Sequence, residues 1–438
     1  MMKSTLMLVA AAWMASTSAF CNPGSSEAPQ AAGESLHVPR LTVNDWYFEL
    51  DGEPLFIVGY NPGMAEEEEV FGEPSRGRLS QVPPGVNYMR TWLTWQYEGQ
   101  YRCPFLRVDG KADLSRIDPA WLDALTDFLD ASARAGVIQE LTLFNPWFAR
   151  ADWAAHDWNP ANNIQGLDVD TQSLYTLDNP CLPYQEQWVE AILGAVDASL
   201  ARHATIIEID NELKTGGGAW REHFVRFVKE RGDYIVSTIA TYCGDYDAVG
   251  GPNDVVCLHT GGSGNPGQHY QWVVDLPRTK PVVFNELYVW WHHPREKQRA
   301  VFWNAFLAGA MPCAYQWADD GRTSRADTAQ DLSALARFAD SIPFHRLRPD
   351  DQWVEDAPGE FRAASQEDGG AFLAYFWGGE TGSIQLNLPD AAYTVSWVSP
   401  ETGGAVGALQ ELHASGTVTL DLPDHHHDIV CYIQRTKT

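Results

Sequence analysis

What most restricts the fold of this chain is an alternation of apolar runs with amphipathic helical stretches. Runs at 54–59, 85–92, 141–144, 206–209, 234–238, 254–259, 281–286 and 313–317 are short and apolar, the texture of buried strands. Helical spacing separates many of them. Over 118–136, Asp118 is the expected cap, Pro119 the first helical residue and Gly136 the stop, with Trp121, Leu122, Leu125, Phe128 and Leu129 on one face. Further helices are read at 185–202, 220–231, 295–310 and 330–341. Eight strand–helix units in about 300 residues predict an α/β fold, a single (β/α)8 barrel of the TIM type. Such a barrel puts its chemistry where the strands end, on their carboxyl side.

Two of the runs end alike. Ile206-Ile207-Glu208-Ile209-Asp210 stops at Asn211-Glu212 and opens into a loop with Lys214 and three glycines, 216–218. Val282-Val283-Phe284 stops at Asn285-Glu286 and is followed by Leu287, Tyr288, Trp290 and Trp291. Two strand-end glutamates are the pair of carboxylates a retaining glycosidase needs. The structural alternative is that each pairs with an Arg or Lys as scaffold. Alternation along strand four puts Glu208, Asp210 and Glu212 on one face, with Glu208 as an inward support. Arg90, beside Trp92 and Trp95, is placed to hold a carboxylate ionised. Strand three ends at Asn145-Pro146-Trp147, strand six at His259 and strand eight at Trp317. His259 can bond a sugar or the nucleophile, and the tryptophans can face sugar rings or pack as core.

Composition limits the partners. The 58 acidic side chains outnumber 30 basic ones, for a net charge of −28. That argues against nucleic acid, which needs a basic surface, and against polyanionic substrates unless the cleft is locally basic. The 18 tryptophans suit a carbohydrate substrate without proving one.

Both ends of the chain read as additions to the barrel. Lys3, the apolar stretch 6–14 and Thr17-Ser18-Ala19 form a signal peptide over 1–20, followed by a disordered linker over 21–40. Export predicts a secreted or periplasmic bacterial protein, with outer-membrane association left open. Ser18-Ala19-Phe20-Cys21 approximates a lipoprotein box, but the bulky Phe20 argues against a lipid anchor at Cys21. No later apolar stretch reaches the roughly 18 residues of a transmembrane segment. Cys103 with Cys181, or Cys243 with Cys257, are candidate disulfides, against buried free thiols. An opening hairpin turns at Asp51-Gly52, the acidic run 66–69 reads as a solvated face, and the long loop 152–183 reads as a wall of substrate subsites. The barrel spans 41–342. From 343 to 438 the runs 361–364, 371–376, 382–386, 393–397 and 416–420 are bounded by turns and predict a small β-sandwich. His425 to His427 cannot all face one ion in an extended chain, so a polar turn is read there and no metal.

With both glutamates placed, the chain resembles the clan A glycoside hydrolases. Asn211-Glu212 matches their strand-four acid/base motif, Glu286 their strand-seven nucleophile, Arg90 the strand-two arginine of family-five-like members and Trp317 their strand-eight tryptophan. Residues 46–59 resemble the opening of apiosidase-like barrels. Tyr393-Thr394-Val395-Ser396-Trp397, with the Pro400-Glu401-Thr402-Gly403-Gly404 turn, resembles the collagen-binding-type β-domain that accompanies them. Asn145-Pro146-Trp147 departs from the pattern, since many members carry a histidine there. The resemblance implies a secreted retaining hydrolase of β-linked polysaccharide or oligosaccharide, without metal or organic cofactor. Glu212 would protonate the leaving oxygen and Glu286 attack the anomeric carbon. Asn211 would bond the sugar 2-hydroxyl, and Asn145, Trp92, Trp147, Tyr288, Trp290 and Trp317 would line the sugar. A transglycosylase, or a non-catalytic carbohydrate-binding or adhesion protein, is the alternative on the same scaffold.

Overall fold

The computed structural model describes residues 38–61, 79, 82–97, 100–102, 104–214, 216–241, 245–259, 265–287, 294–315, 325–379 and 381–436. Eight parallel strands close on themselves: β1 (Gly59–Asn61), β2 (Tyr88–Trp92), β3 (Ile138–Phe144), β4 (Thr205–Asp210), β5 (Ile235–Ile239), β6 (Val255–His259), β7 (Val282–Leu287) and β8 (Ala310–Tyr315). Each pairs with the next, and β8 returns to β1. The expected (β/α)8 barrel is therefore present. Its helices are α1 (Pro119–Arg134), α2 (Pro146–Ala151), α3 (Leu182–Ala198), α4 (Gly218–Lys229), α5 (Pro266–Val274), α6 (Arg295–Ala308) and α7 (Arg325–Asp340).

Local chemistry sets these limits. Asp118 caps α1 by accepting from the Ala120 N–H at 3.0 Å, and Gly136 leaves it at φ +70°. Strands β3 to β8 except β5 are buried along their whole length. Ile207 and Ile209 of β4 share an apolar cluster with Trp188 and Ile192 of α3 and Trp220 and Phe224 of α4. Each such side chain removed from water contributes about 1.5–3 kcal/mol.

Several boundaries move. The first barrel strand begins at Gly59, because Glu53–Leu55 is used as the third strand of the opening sheet, paired with Tyr47–Leu50. Asp51 (φ +55°) and Gly52 (φ +85°) make its two-residue turn. A Cβ at Gly59 would collide with Tyr88 and Cys313, so the barrel wall closes there only with glycine. Two hairpins precede α1, Trp95–Tyr97 with Gln100–Arg102 and Phe105–Val108 with Lys111–Ile117.

The C-terminal strands are β9 (Leu347–Pro349), β10 (Val354–Asp356), β11 (Glu360–Gln366), β12 (Ala371–Trp377), β13 (Ser383–Val398), β14 (Gln410–Asp421) and β15 (Asp428–Arg435). They pair in the order β9-β11-β12-β15-β13-β10, with β14 on β13. The runs read separately at 382–386 and 393–397 are one strand, β13, with an irregularity between Leu388 and Ala391. Its first half carries β10 and its second half carries β15, so one sheet folds over itself. Phe372, Phe376, Ile429 and Ile433 meet Ile384, Leu386 and Leu388 inside. The opposite face, with Leu373, Tyr375, Val430 and Tyr432, joins the cluster of Trp303, Phe306 and Phe338 on α6 and α7. Trp303 stacks on Tyr375 with centroids 5.7 Å apart, and buried Arg299 grips Asp428 at 2.7 and 2.8 Å.

Cys181, Cys257, Cys313 and Cys431 are buried free thiols, so Cys181 and Cys257 are unbridged; Cys103 and Cys243, their candidate partners, lie outside the described residues. Among the described residues no helix is long and apolar enough to cross a membrane. The signal peptide, most of the linker, the acidic run 66–69, Tyr288, Trp290 and Trp317 lie outside the described residues.

Candidate active site

At the carboxyl ends of the strands, one buried arginine collects the acids. Arg90, 1% exposed on β2, sends Nε to Glu208 at 2.8 Å, one terminal nitrogen to Glu286 at 2.6 Å and the other to Asn211 Oδ1 at 2.8 Å. Glu208 also accepts from Thr142 and, at 2.7 Å, from Asn285 Nδ2. Asn285 bridges to Glu140 at 2.9 Å, and Glu140 accepts in addition from Tyr88 and Ser237. Burial alone would weaken the charge of Arg90, but Glu208, Glu286 and Glu140 together hold the guanidinium well above its usual range. Burial pushes the Glu208 carboxyl up to about 7, against the pull of Arg90. Glu208 is thus the inward support that strand alternation predicts. Glu140 and Asn285 complete a layer beneath the site.

Glu212 is presented by a strained turn. It lies two residues past the end of β4 with φ +55°, a left-handed conformation that costs a non-glycine residue on the order of 1 kcal/mol or more. Asp210 holds the turn: it accepts from the Leu213 N–H at 3.0 Å and grips buried Arg221 of α4 at 2.5 and 2.9 Å. Arg221 in turn donates to the Leu213 carbonyl at 3.2 Å. Alternation therefore stops at Asp210, and Glu212 is aimed by the turn instead.

His259, at the end of β6, joins the two glutamates. Its Nδ1–H lies 3.1 Å from Glu212 Oε1 and 3.4 Å from Glu286 Oε2. One carboxyl oxygen of Glu212 and one of Glu286 lie within 4.8 Å of each other. Burial would lower the His259 pKa, but Glu286 and Glu212 raise it above its ordinary value. For Glu212, burial would raise the carboxyl; the bond and charge of His259, with Lys214 and Arg90, reverse this and hold it below its usual range. Lys214 Nζ lies 3.6 Å from Glu212 Oε2, and Arg150 donates to the Glu212 carbonyl at 3.1 Å. A catalytic acid has to hold its proton near neutral pH, and in this free site the partners of Glu212 act the other way. Glu212, His259 and Glu286 have the donor types of a divalent-cation site, but the Arg90 guanidinium already supplies positive charge at Glu286.

The other expected residues divide. Asn211 Oδ1 accepts from Arg90, and its Nδ2 donates to Asn145 Oδ1 at 3.2 Å. Asn145 caps α2, and its own Nδ2 is buried without an acceptor. Trp92, 6% exposed, packs edge-on against Phe148 and beside Tyr315, with Arg90 over its ring at 5.6 Å. Its indole Nε1 also lacks an acceptor. Trp147 is half-buried against this group. Thus Arg90, Asn211, Glu212, His259, Glu286, Asn145, Trp92 and Trp147 converge at one end of the barrel. Sequence reading did not assign Glu140, Thr142, Arg150 or Asn285 to the site. A glutamate inside the apolar run 138–144 was the available signal.

The fold defines a class: a (β/α)8 barrel carrying a C-terminal β-domain. The same architecture occurs in solved glycoside hydrolases. One matches 91% of this chain and 97% of its own at 13% identity and a TM-score of 0.62. A family 5 glycoside hydrolase from Bacteroides vulgatus matches at 13% identity over 90% of this chain and 93% of its own, TM-score 0.63. A further Bacteroides vulgatus structure, described as a candidate glycoside hydrolase, matches at 15% identity, over 91% and 83%, with a TM-score of 0.66. At these identities the likeness is one of fold. No known protein family and no curated protein matches the chain in sequence.

Proposed function

We propose that this protein is a secreted retaining glycoside hydrolase acting on β-linked polysaccharide or oligosaccharide. One observation carries the reading: Glu212 and Glu286 rise from the ends of β4 and β7 with carboxyl oxygens within 4.8 Å. Retention calls for carboxyls about 5–5.5 Å apart, whereas inversion needs about 6.5–9.5 Å to admit water. Arg90 donates to Glu286 Oε1 at 2.6 Å and so fixes the carboxyl that would act as nucleophile. In this reading Glu286 attacks the anomeric carbon as Glu212 gives its proton to the departing oxygen. Glu212 then takes a proton from water, whose oxygen displaces the Glu286 ester. His259 Nδ1–H, 3.1 Å from Glu212, is the adjacent donor that can supply the proton for the first step, and the proton taken from water in the second restores it. The N–H groups of Asn145 Nδ2 and Trp92 Nε1, buried without acceptors in the free site, are donors that sugar hydroxyls would satisfy if substrate binding uncovers them. The resemblance of residues 1–20 to a signal peptide supports export. The test is product release from a panel of β-linked polysaccharides by wild type, Glu212→Gln and Glu286→Gln. Turnover by wild type alone supports the assignment; equal turnover by Glu286→Gln rejects it.

A further inference from the structure

Arg278 stands at the opposite end of the barrel, in the loop that leads into β7. Its Nε and both terminal nitrogens are buried, and none has an acceptor. Its guanidinium carbon lies 3.9 Å from the centroid of the Trp46 ring, and that of Arg348 lies 5.2 Å from the same centroid. Trp46 is 6% exposed, and its own indole Nε1–H is buried without an acceptor. Five guanidinium N–H groups and one indole N–H are thus gathered in one place with nothing to receive them.

Such a gathering has a physical cost. A buried cation without a counter-charge is expensive, and buried donors are almost always satisfied. The Trp46 face and the C-terminal end of α6 offset part of the charge, but a ring face and a helix dipole are no substitute for hydrogen-bond acceptors. Burial and then Arg348 push the Arg278 pKa down to about 10; only Tyr270 acts the other way, and no carboxylate contributes. In a chain with net charge −28, that absence is notable. Room is kept beside it: Gly309, at φ +86°, is the α6 cap, and a Cβ there would sit 2.7 Å from an Arg278 terminal nitrogen. An adjoining water-sized cavity of about 10 Å³ is lined by Trp46, Phe306, Gly309, Phe344 and Leu347. That has room for one small guest and not for an organic ligand.

We propose that Arg278 and the Trp46 indole N–H bind a small monovalent anion, a halide or a one-carbon carboxylate. The anion supplies the missing acceptors and locks together the opening hairpin, the barrel floor and the start of the C-terminal sheet. It is a structural site, separate from Glu212 and Glu286 at the other end of the strands.

Thermal unfolding of the full chain tests this at constant ionic strength, with chloride or formate replacing gluconate, which is too bulky for the cavity. Wild type is expected to gain on the order of 2–4 °C in Tm, saturably, in at least one of the two salts. The salt that acts identifies the anion as halide or carboxylate. Arg278→Met should show no such gain, and in gluconate it should be at least as stable as wild type, because it removes an unpaired charge. Trp46→Phe should saturate at higher anion concentration. An equal response in wild type and Arg278→Met, no response in wild type, or an Arg278→Met protein less stable in gluconate overturns the proposal. A crystal grown in bromide gives a readout independent of any variant. An anomalous peak at hydrogen-bond distance from the Arg278 nitrogens is expected, and its absence refutes halide binding.

Discussion

His259→Phe should shift the alkaline limb of activity to higher pH. In the free site the His259 Nδ1–H stands 3.1 Å from Glu212 and 3.4 Å from Glu286. Burial alone would raise the Glu212 carboxyl, and His259 supplies the two largest effects opposing it. At 3.1 Å a unit charge pair is worth from about 1.3 kcal/mol at the dielectric of water to about 5.4 kcal/mol at an effective dielectric of 20. Removing the imidazolium should therefore raise the Glu212 pKa, and since one pH unit is about 1.4 kcal/mol the alkaline limb should move up by about one unit or more. Solvent screening sets the effect towards the lower end, since the Glu212 side chain keeps 15% of its exposure. The assay is the pH dependence of kcat/KM, whose alkaline limb reports the general acid of the free enzyme. Carbon-13 NMR titration of the Glu212 carboxyl, assigned with Glu212→Gln, reads the same shift without a substrate. A limb that stays in place or moves to lower pH refutes the claim that His259 holds the Glu212 proton affinity down.

Three further outcomes concern stability. Arg90→Met leaves Glu140 and Glu208 buried without their cation and should cost about 3–5 kcal/mol in urea unfolding near pH 8. Because the folded Glu208 titrates near 7, above its unfolded value, its contribution is present at low pH and lost as pH rises through 7, so the Arg90→Met deficit should shrink below pH 7. His269 is fully buried with neither ring nitrogen bonded, and burial lowers its pKa to about 4. The unfolded chain therefore takes up that proton first. Stability present above pH 6.5 is lost as pH falls towards 4, by up to about 3.4 kcal/mol, and His269→Phe should remove that part of the acid sensitivity. Arg299→Met strands Asp428 between α6 and the C-terminal sheet and should cost about 3–5 kcal/mol, read as a lower urea midpoint.

The barrel was legible because its strands are buried on both faces and therefore read as mostly apolar runs, as at 206–209 and 281–284. The α1 cap was legible because Asp118-Pro119 and Gly136 carry their conformations in their chemistry. The hairpins before α1 were not read, although Asp109 (φ +49°) and Gly110 (φ +81°) form a turn of the same composition as Asp51-Gly52. Their strands lack the clean alternation that marks a half-buried sheet. Helix α5 was missed despite Asn265 and Pro266 at its cap and first position, because it is only nine residues long. Within the site, Arg90, Glu212 and Glu286 could be read from strand ends. The link from Arg90 through Glu208 and Asn285 to Glu140 could not, since it depends on register between strands far apart in sequence; β2 and β3 set Arg90 opposite Glu140. The lowered proton affinity of Glu212 was equally hidden, because it depends on where β6 delivers His259.

The central claim is that Glu286 is the nucleophile of a double displacement. The most direct measurement is proton NMR of the first product formed from a β-linked substrate, taken before mutarotation, with wild type and Glu286→Gln in parallel. The account predicts a β-anomer from wild type and no product from Glu286→Gln. An α-anomer, or turnover that survives in Glu286→Gln, would contradict it.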